Sequence, residues 1–519
     1  MKQGMTKNNK RAAARQLRQE IKENTYALVE TYCIYGNNKL NELTKWSNNC
    51  YNELMYLMRR HYFKRSKKFK RQIKAYKRGR IKTFPKWPDD YSDTKLKDIL
   101  KLQSKNKQST LFDECPDQHI LQDLIKAVKQ TWTDYYTAKA DYNKKPYKYL
   151  GRPNIPGYLP KGKRHSIEIN NQTLHLSKRK DYIINQHFGI NIPISDNFKL
   201  ALTNPANDPH IAKLPRESIL RTCWVKPIKN NGVKICATYV VTKKPRNTYK
   251  GKAVPKRNPN IFVAGDPGVD NLLALVTNSI DYKPLIINGK GIKSVNHYYN
   301  KTQALLQAKA TKYKQKGFTK HKKDGTVQTI YHTGKKAELL DAWRDRKLTD
   351  AIHKATDRVL EYAINCGASK IIIGRNKYWK QKSSMSKQNN QNFVGIPHYK
   401  VINMLKYKAL LYGIEVISQP ESYTSQTSFL DGEAPVWKNG NKARKKHGKS
   451  PINRRLKRGL FVTNQGYKIN ADINGALQIA YKYDKNNNLN VFCKSDGQKV
   501  SLKQIIGCVL HPIKWSPVF

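Results

Sequence analysis

The pattern of hydrophobic and polar positions changes character three times along the chain. Residues 25–35 (TYALVETYCIY) are dense in apolar, β-branched and aromatic side chains and predict a strand. Trp46, Cys50, Leu54, Leu57 and Met58 then recur at helical spacing. That helix runs into residues 64–82, where Phe69, Ile73 and Tyr76 are interleaved with Lys and Arg. Leu121, Leu124, Ile125, Val128, Trp132 and Tyr135 mark a second helix, and the polar stretch between the two has no period. At Pro146 the pattern breaks. Gly151-Arg152-Pro153 and Pro156-Gly157 end any helix. Short strands are expected at 166–170 and 173–176, joined by an Asn-rich turn, and at 219–228 and 233–241 around Asn230-Asn231-Gly232, a hairpin signal. Residues 251–260 read as a linker.

The last half alternates differently. Residues 261–265 form a buried-strand run ending at Asp266, and 272–277 and 285–288 follow as short strands. A long Lys-rich polar region comes next, with a break at Asp324-Gly325. Leu348, Ile352, Ala355, Val359 and Ala363 mark an amphipathic helix over 346–363. A buried strand at 371–374 (IIIG), a helix at 401–411, a strand at 415–418 and a helix at 473–481 complete the series. The order βββ-α-β-α-β-α is that of the ribonuclease H fold, a mixed sheet with helices on both faces. The chain is thus expected to be multidomain α/β: a basic arm at 1–24, a helical domain at 37–145, a small β-barrel or sandwich from 25–36 and 146–255, and an α/β domain at 256–519.

Charge narrows the function. The 519 residues include 99 Lys+Arg against 37 Asp+Glu, a formal net charge of +62 spread along the whole chain. A lone folded monomer would repel itself, so a polyanionic partner is expected, and one that contacts much of the surface. Tyrosine is frequent, at 31 residues, and could stack on bases. An AT-rich gene accounts equally well for the Tyr and Asn excess, but not for the charge. Residues 1–24 lack the apolar stretch of a secretory signal. No run of about 18 apolar residues suggests a membrane helix. The eight cysteines form no CxxC pair and read as reduced thiols in a bacterial cytosol.

Two acids are placed for metal chemistry. Asp266 follows an apolar strand and Asp472 opens the last helix. Carboxylates so placed can meet across the mouth of a sheet and hold two divalent ions about 4 Å apart for phosphodiester hydrolysis. Oxygen ligands suit Mg²⁺ or Mn²⁺. Taken singly, an Asp after a strand is ordinarily a turn residue, and one before a helix an N-cap.

The surrounding residues strengthen the pair. GDPGVDNLLAL at 265–275 resembles the first RuvC motif of TnpB, the OrfB-type protein of insertion sequences, and NADINGALQIA at 470–480 resembles its third. Gly151-Arg152-Pro153, LKYKA at 405–409, residues 413–416 and Tyr423-Thr424-Ser425-Gln426-Thr427 also fit that family, which is similar to the compact type V CRISPR effectors. The resemblance implies an RNA-guided DNA endonuclease. It would bind a guide RNA, recognise a short flanking motif and cut double-stranded target DNA at one RuvC-like site, with sequence read by the RNA. It also implies a helical recognition lobe at 37–145, a wedge β-barrel from 25–36 and 146–255, and a RuvC-like nuclease domain at 256–519.

The chain departs from the family pattern twice. The second motif usually ends in Glu, but here IIIG ends in Gly374. Glu421, after the next strand, is the candidate for a relocated third carboxylate beside Asp266 and Asp472, as in one branch of the family; otherwise it is a surface turn residue. Neighbouring strands lie about 4.8 Å apart, so a Glu one strand further out can reach the site. Asp270 reads as a turn residue and His353 as a packing residue. Secondly, Ser428 and Asp431 stand where zinc-binding cysteines are usual, and no Cys lies between Cys366 and Cys493. No zinc is therefore expected, and 421–470 should be a zinc-free remnant of a ribbon that contacts the target strand. Three other readings remain open: a nuclease-inactive RNA-guided repressor, a transposase, and an RNA chaperone.

Overall fold

The computed structural model describes residues 25–86, 90–149, 151–170, 175–176, 182–185, 188, 190–193, 220–228, 231–242, 245–313, 317–321, 327–331, 333–376, 387–422, 424–425, 427–433, 455–457, 459–487, 492, 498 and 500–517. The arm expected at 1–24 lies outside them. The described residues are multidomain α/β and divide into two compact units, Met1–Thr242 and Lys243–Phe519.

The first unit opens with β1 (Thr25–Ile34), followed by α1 (Asn38–Lys77), α2 (Asp93–Lys105) and α3 (Gln118–Lys144). Each helix starts at a polar cap: the side chains of Asn37, Ser92 and Asp117 accept from Leu40, Lys95 and His119 N–H. The first half of α1 is apolar on one face and buried there through Leu54, Met55 and Met58; beyond Arg65 it has no buried residue. The strands are β2 (Ile167–Asn170), β3 (His175–Leu176), β4 (Tyr182–Asn185), β5 (Ile190–Pro193), β6 (Leu220–Pro227) and β7 (Val233–Thr242). The hairpin expected around Asn231 forms, with Pro227 opposite Val233 and Asn231 at φ +51°. The pairing expected between the strands near 166–170 and 173–176 does not. β2 joins β6 in the sheet β1-β7-β6-β2, where Ile167 and Ile169 are buried, while β3 pairs with β4 in a separate sheet β3-β4-β5. Among the described residues the strands form two open sheets and no closed barrel. Helices and sheet share one apolar core running from Leu40 to Tyr239, so the helical and β regions expected as separate domains are continuous.

The second unit begins earlier than residue 256. The short hairpin β8 (Thr248–Tyr249) and β9 (Lys252–Ala253) occupies part of the expected linker and is tied down. Tyr249 Oη donates to the Asp357 carbonyl and Arg246 N–H to the Leu411 carbonyl. Then come β10 (Asn258–Asp266), β11 (Asn271–Thr277), β12 (Leu285–Asn288), α4 (Lys290–Lys312), the hairpin β13 (Gly317–His321) and β14 (Val327–Tyr331), and α5 (Gly334–Asn365). β15 (Ala368–Gly374), α6 (Lys387–Gly395), α7 (His398–Leu410) and β16 (Glu415–Gln419) follow. A small sheet of β17 (Arg455–Lys457), β18 (Leu460–Val462) and β19 (Lys468–Asn470) leads into α8 (Ala471–Asn487), and α9 (Leu502–Val509) and β20 (Ile513–Trp515) end the chain.

The main sheet has the order β16-β15-β10-β11-β12-β20. β11 runs antiparallel to β10 and β12, while β15 and β16 run parallel to β10. This is the strand arrangement of a ribonuclease H-type core, extended by one edge strand. Alternate residues of β10 and β15 enter different cores, as period-two strands require. Ile261, Val263, Ile371 and Ile373 pack with α5 and α7, whereas Phe262, Ala264 and Ile372 pack with α8 and α9. Among the described residues no helix is long and apolar enough to cross a membrane.

Candidate active site

The alternation of β10 and β15 fixes which way their last residues face. Gly265 stands opposite Ile373 in parallel register. The next residues along, Asp266 and Gly374, therefore end the two strands side by side on the face covered by α8. The packing agrees with this register. A Cβ built on Gly475 of α8 would overlap the Asp266 carboxylate, and one built on Gly374 would overlap Ile479, one turn further along the same helix. Glycine at 475 is what lets Asp266 lie against α8.

Asp472 sits in the first turn of α8, three residues before Gly475 and so on the same side of the helix. It does not cap that helix. Asn470 does, its side-chain oxygen accepting from Asp472 N–H at 3.0 Å and Ile473 N–H at 3.2 Å. The Asp472 carboxylate is left to accept from Asn271 Nδ2 at 2.8 Å, and its Oδ2 is 3.7 Å from the position a Cβ would take on Gly268, in the loop after Asp266. His398, buried at the start of α7, holds that loop from the other side, with Nε2 3.0 Å from the Gly268 carbonyl.

Glu421 lies two residues beyond Gln419, which pairs with Gly374. It is not a surface turn residue. Its carboxylate lies over Gly374, with Oε2 2.8 Å from the position of a Cβ there. Asn376 clamps it: Glu421 N–H donates to Asn376 Oδ1 at 3.1 Å, and Asn376 Nδ2 donates to Glu421 Oε1 at 3.4 Å. Oε2 is buried without a hydrogen-bond partner, and burial pushes the carboxyl up to about 7.

Asp266, Glu421 and Asp472 thus each lie near the carboxyl end of the central strands, against α8 or at its start. Among the described residues no three His, Cys, Asp or Glu side chains stand together as a ready metal cluster. The donors nevertheless suit a hard cation in kind: three carboxylates, one carrying a buried oxygen with nothing to bond. Asp270, by contrast, pairs with Lys293 at 2.7 Å, and Lys408 Nζ donates to the carbonyl of His353. Asn271, Asn376 and His398 were not singled out by the sequence. Asn271 and Asn376 follow the acid or glycine at a strand end, the one signal that could have marked them.

The segment after Glu421 is held by hydrogen bonds. Ser428 is buried, and its N–H donates to Glu433 at 2.8 Å. Both Asp431 oxygens accept from Asn464 N–H, at 3.1 and 3.0 Å. Asn474 of α8 bonds Thr427 and Phe429, and Gln478 donates to the Glu433 carbonyl. Beside it is a cavity of about 570 Å³ lined by Asp431, Glu433, Tyr481 and Ile505 among others.

The sheet order defines the class, an α/β protein with a ribonuclease H-type core. Residues 398–479 match the family described as Cas12f1-like, TNB domain, and residues 238–380 match the OrfB-type family described as probable transposase. Over these two stretches the chain is similar to the TnpB and compact type V family. No curated protein matches it. Among solved structures, the protein in "Cryo-EM structure of the Cas12f1-sgRNA-target DNA complex" is 14% identical, with a TM-score of 0.42 over 85% of this chain and 82% of that one. The protein in "Crystal structure of the Cas12i1 R-loop complex before target DNA cleavage" is 10% identical, with a TM-score of 0.31 over 96% of this chain and 65% of that one.

Proposed function

We propose that the chain is an RNA-guided DNA endonuclease that hydrolyses phosphodiesters at Asp266, Glu421 and Asp472. The observation that carries the reading is the placement of Glu421 over Gly374, which sets a third carboxylate on the face shared by Asp266 and Asp472. The similarity of residues 238–380 and 398–479 to the TnpB and compact type V family and the net charge of +62 support nucleic acid as the partner. Guide RNA and double-stranded target DNA are the partners the reading requires.

Asp266, Glu421 and Asp472 would hold Mg²⁺ or Mn²⁺, which when bound activates water and stabilises the leaving oxygen. The remaining work falls to the chain itself. Asn271 orients Asp472, Asn376 orients Glu421, and His398 fixes the loop between Asp266 and Asn271. Burial raises the Glu421 carboxyl, which must give up a proton near neutral pH before it can serve as a ligand. The helices of the first unit act as a recognition lobe and its sheets as a wedge. The segment from Glu421 to Asn470 contacts the target strand without zinc.

Purification of the protein with its bound RNA, and sequencing of that RNA, tests the reading. A duplex carrying the matching sequence is then supplied with Mg²⁺. Cleavage confined to matched DNA is expected; a bound RNA with tight DNA binding and no cut would favour a repressor instead.

A further inference from the structure

The end of β15 carries a second feature that the carboxylates do not use. Arg375 directly follows Gly374, and its N–H donates to the Gln419 carbonyl at 2.8 Å, two residues before Glu421. Its guanidinium lies 5.3 Å from the centroid of the Tyr399 ring, and that ring remains 63% exposed. Tyr399 is anchored from behind by the adjacent His398, which is buried and bonded to the Gly268 carbonyl in the loop between Asp266 and Asp270. Both members of the pair are therefore fixed to the same strand end and loop that position the three carboxylates. No carboxylate among the described residues pairs with Arg375, so its charge is not consumed within the fold.

A planar cation held against an exposed aromatic ring, beside a phosphodiester-cutting centre, matches the two halves of one unpaired nucleotide. The guanidinium fork suits the phosphate, and the open ring suits the base. A base within a duplex has both faces occupied by its neighbours and cannot offer one to Tyr399. We propose that Arg375 and Tyr399 form a subsite for one unpaired nucleotide of the DNA strand being cut, setting its backbone against Asp266 and Glu421. This assignment rests on the nuclease reading for its purpose, but not for its detection.

The test uses the protein with its co-purified RNA, in chelator so that nothing is cut, and a single-stranded oligodeoxyribonucleotide carrying 5-iododeoxyuridine. Irradiation and peptide mapping should place a cross-link at Tyr399. Tyr313 is the internal control, since it is 69% exposed and carries Lys312 Nζ 5.9 Å from its ring. Cross-linking at Tyr399 no stronger than at Tyr313 would overturn the proposal, as would preferential cross-linking of Tyr399 to the bound RNA. In Mg²⁺, Tyr399→Ala and Arg375→Ala should each raise KM for guide-matched DNA about tenfold, with kcat falling less than about threefold. Tyr399→Phe and Arg375→Lys should recover most of the loss, and an unchanged KM in the alanine variants would also overturn it. If the wild-type complex cuts nothing yet cross-links at Tyr399, the nuclease reading fails and the subsite stands. If it cuts without that cross-link, the subsite fails alone.

Discussion

Gly374 and Glu421 occupy one place in the fold between them. A Cβ on Gly374 would lie 2.5 Å from Ile479 Cδ1, 2.8 Å from Glu421 Oε2 and 3.3 Å from its Cβ, so a side chain there would force Ile479 and the Glu421 carboxylate from their present positions. Gly374→Ala should accordingly displace Glu421 and cut the rate of DNA cleavage at least about 100-fold, with binding of the co-purified RNA preserved. Single-turnover cleavage and RNA retention, measured on the same preparation, check this. A fully active Gly374→Ala protein would show that Glu421 does not need that position.

Burial gives Glu421 a pH signature. Its carboxyl is raised to about 7, so the folded state favours the protonated form. The sign follows from linkage: stability from this group is present below the unfolded value near 4.5 and is lost as pH rises towards 7. In chelator, Glu421→Gln should therefore be more stable than wild type at pH 8, by about 2–3 kcal/mol at most, and nearly equal to it at pH 4.5. Denaturant titrations at the two pH values measure the difference. A pH-independent gap would place the buried charge elsewhere.

The two asparagines predict a metal phenotype without a binding phenotype. Asn376→Ala removes both side-chain bonds to Glu421, and Asn271→Ala removes the bond to Asp472. Each should raise the Mg²⁺ concentration for half-maximal cleavage about tenfold, as loss of an outer-shell partner does at metal sites. Saturating Mg²⁺ should restore much of the activity. Loss of cleavage that no Mg²⁺ concentration restores would mean a role other than orientation.

Much of this site follows from the chain's own pattern. β10 and β15 are apolar runs whose ends can be read directly, and the strand order β16-β15-β10 on which the case for Glu421 depends is present in the sheet. Other parts were hidden for physical reasons. α4 buries only Ile292, Asn296 and Ala310, so it has no apolar stripe. It is fastened to α5 by polar and aromatic ties instead: Tyr299 to Asp341, Arg344 to Asn296 and across the Tyr299 ring, and Tyr298 against Trp343. The first three turns of α5 were missed for the same reason. The tail after residue 500 is short but begins with a capping box, Ser501 with Gln504, and buries Ile505, Ile506 and Val509 before β20 covers the edge of the sheet beside β12. The partners of Asp472 and Glu421 needed three dimensions, because Asn271 and Asp472 are 201 residues apart.

The segment between Glu421 and Asn470 predicts a stability result. Asp431→Ala removes both acceptors from Asn464 N–H and should destabilise the second unit by about 0.5–1.5 kcal/mol. Chelators should leave the wild-type melting temperature unchanged, and elemental analysis should find no stoichiometric zinc. Stoichiometric zinc would contradict a segment held by carboxylate and amide hydrogen bonds.

The central claim is that Asp266, Glu421 and Asp472 act as one catalytic set, and single-turnover cleavage of guide-matched duplex DNA in Mg²⁺ tests it most directly. Wild type should cut, while Asp266→Ala, Glu421→Gln and Asp472→Ala should each lose at least about 1000-fold in rate with RNA and DNA binding intact. Full activity in Glu421→Gln, beside inactive Asp266→Ala and Asp472→Ala proteins, would contradict it.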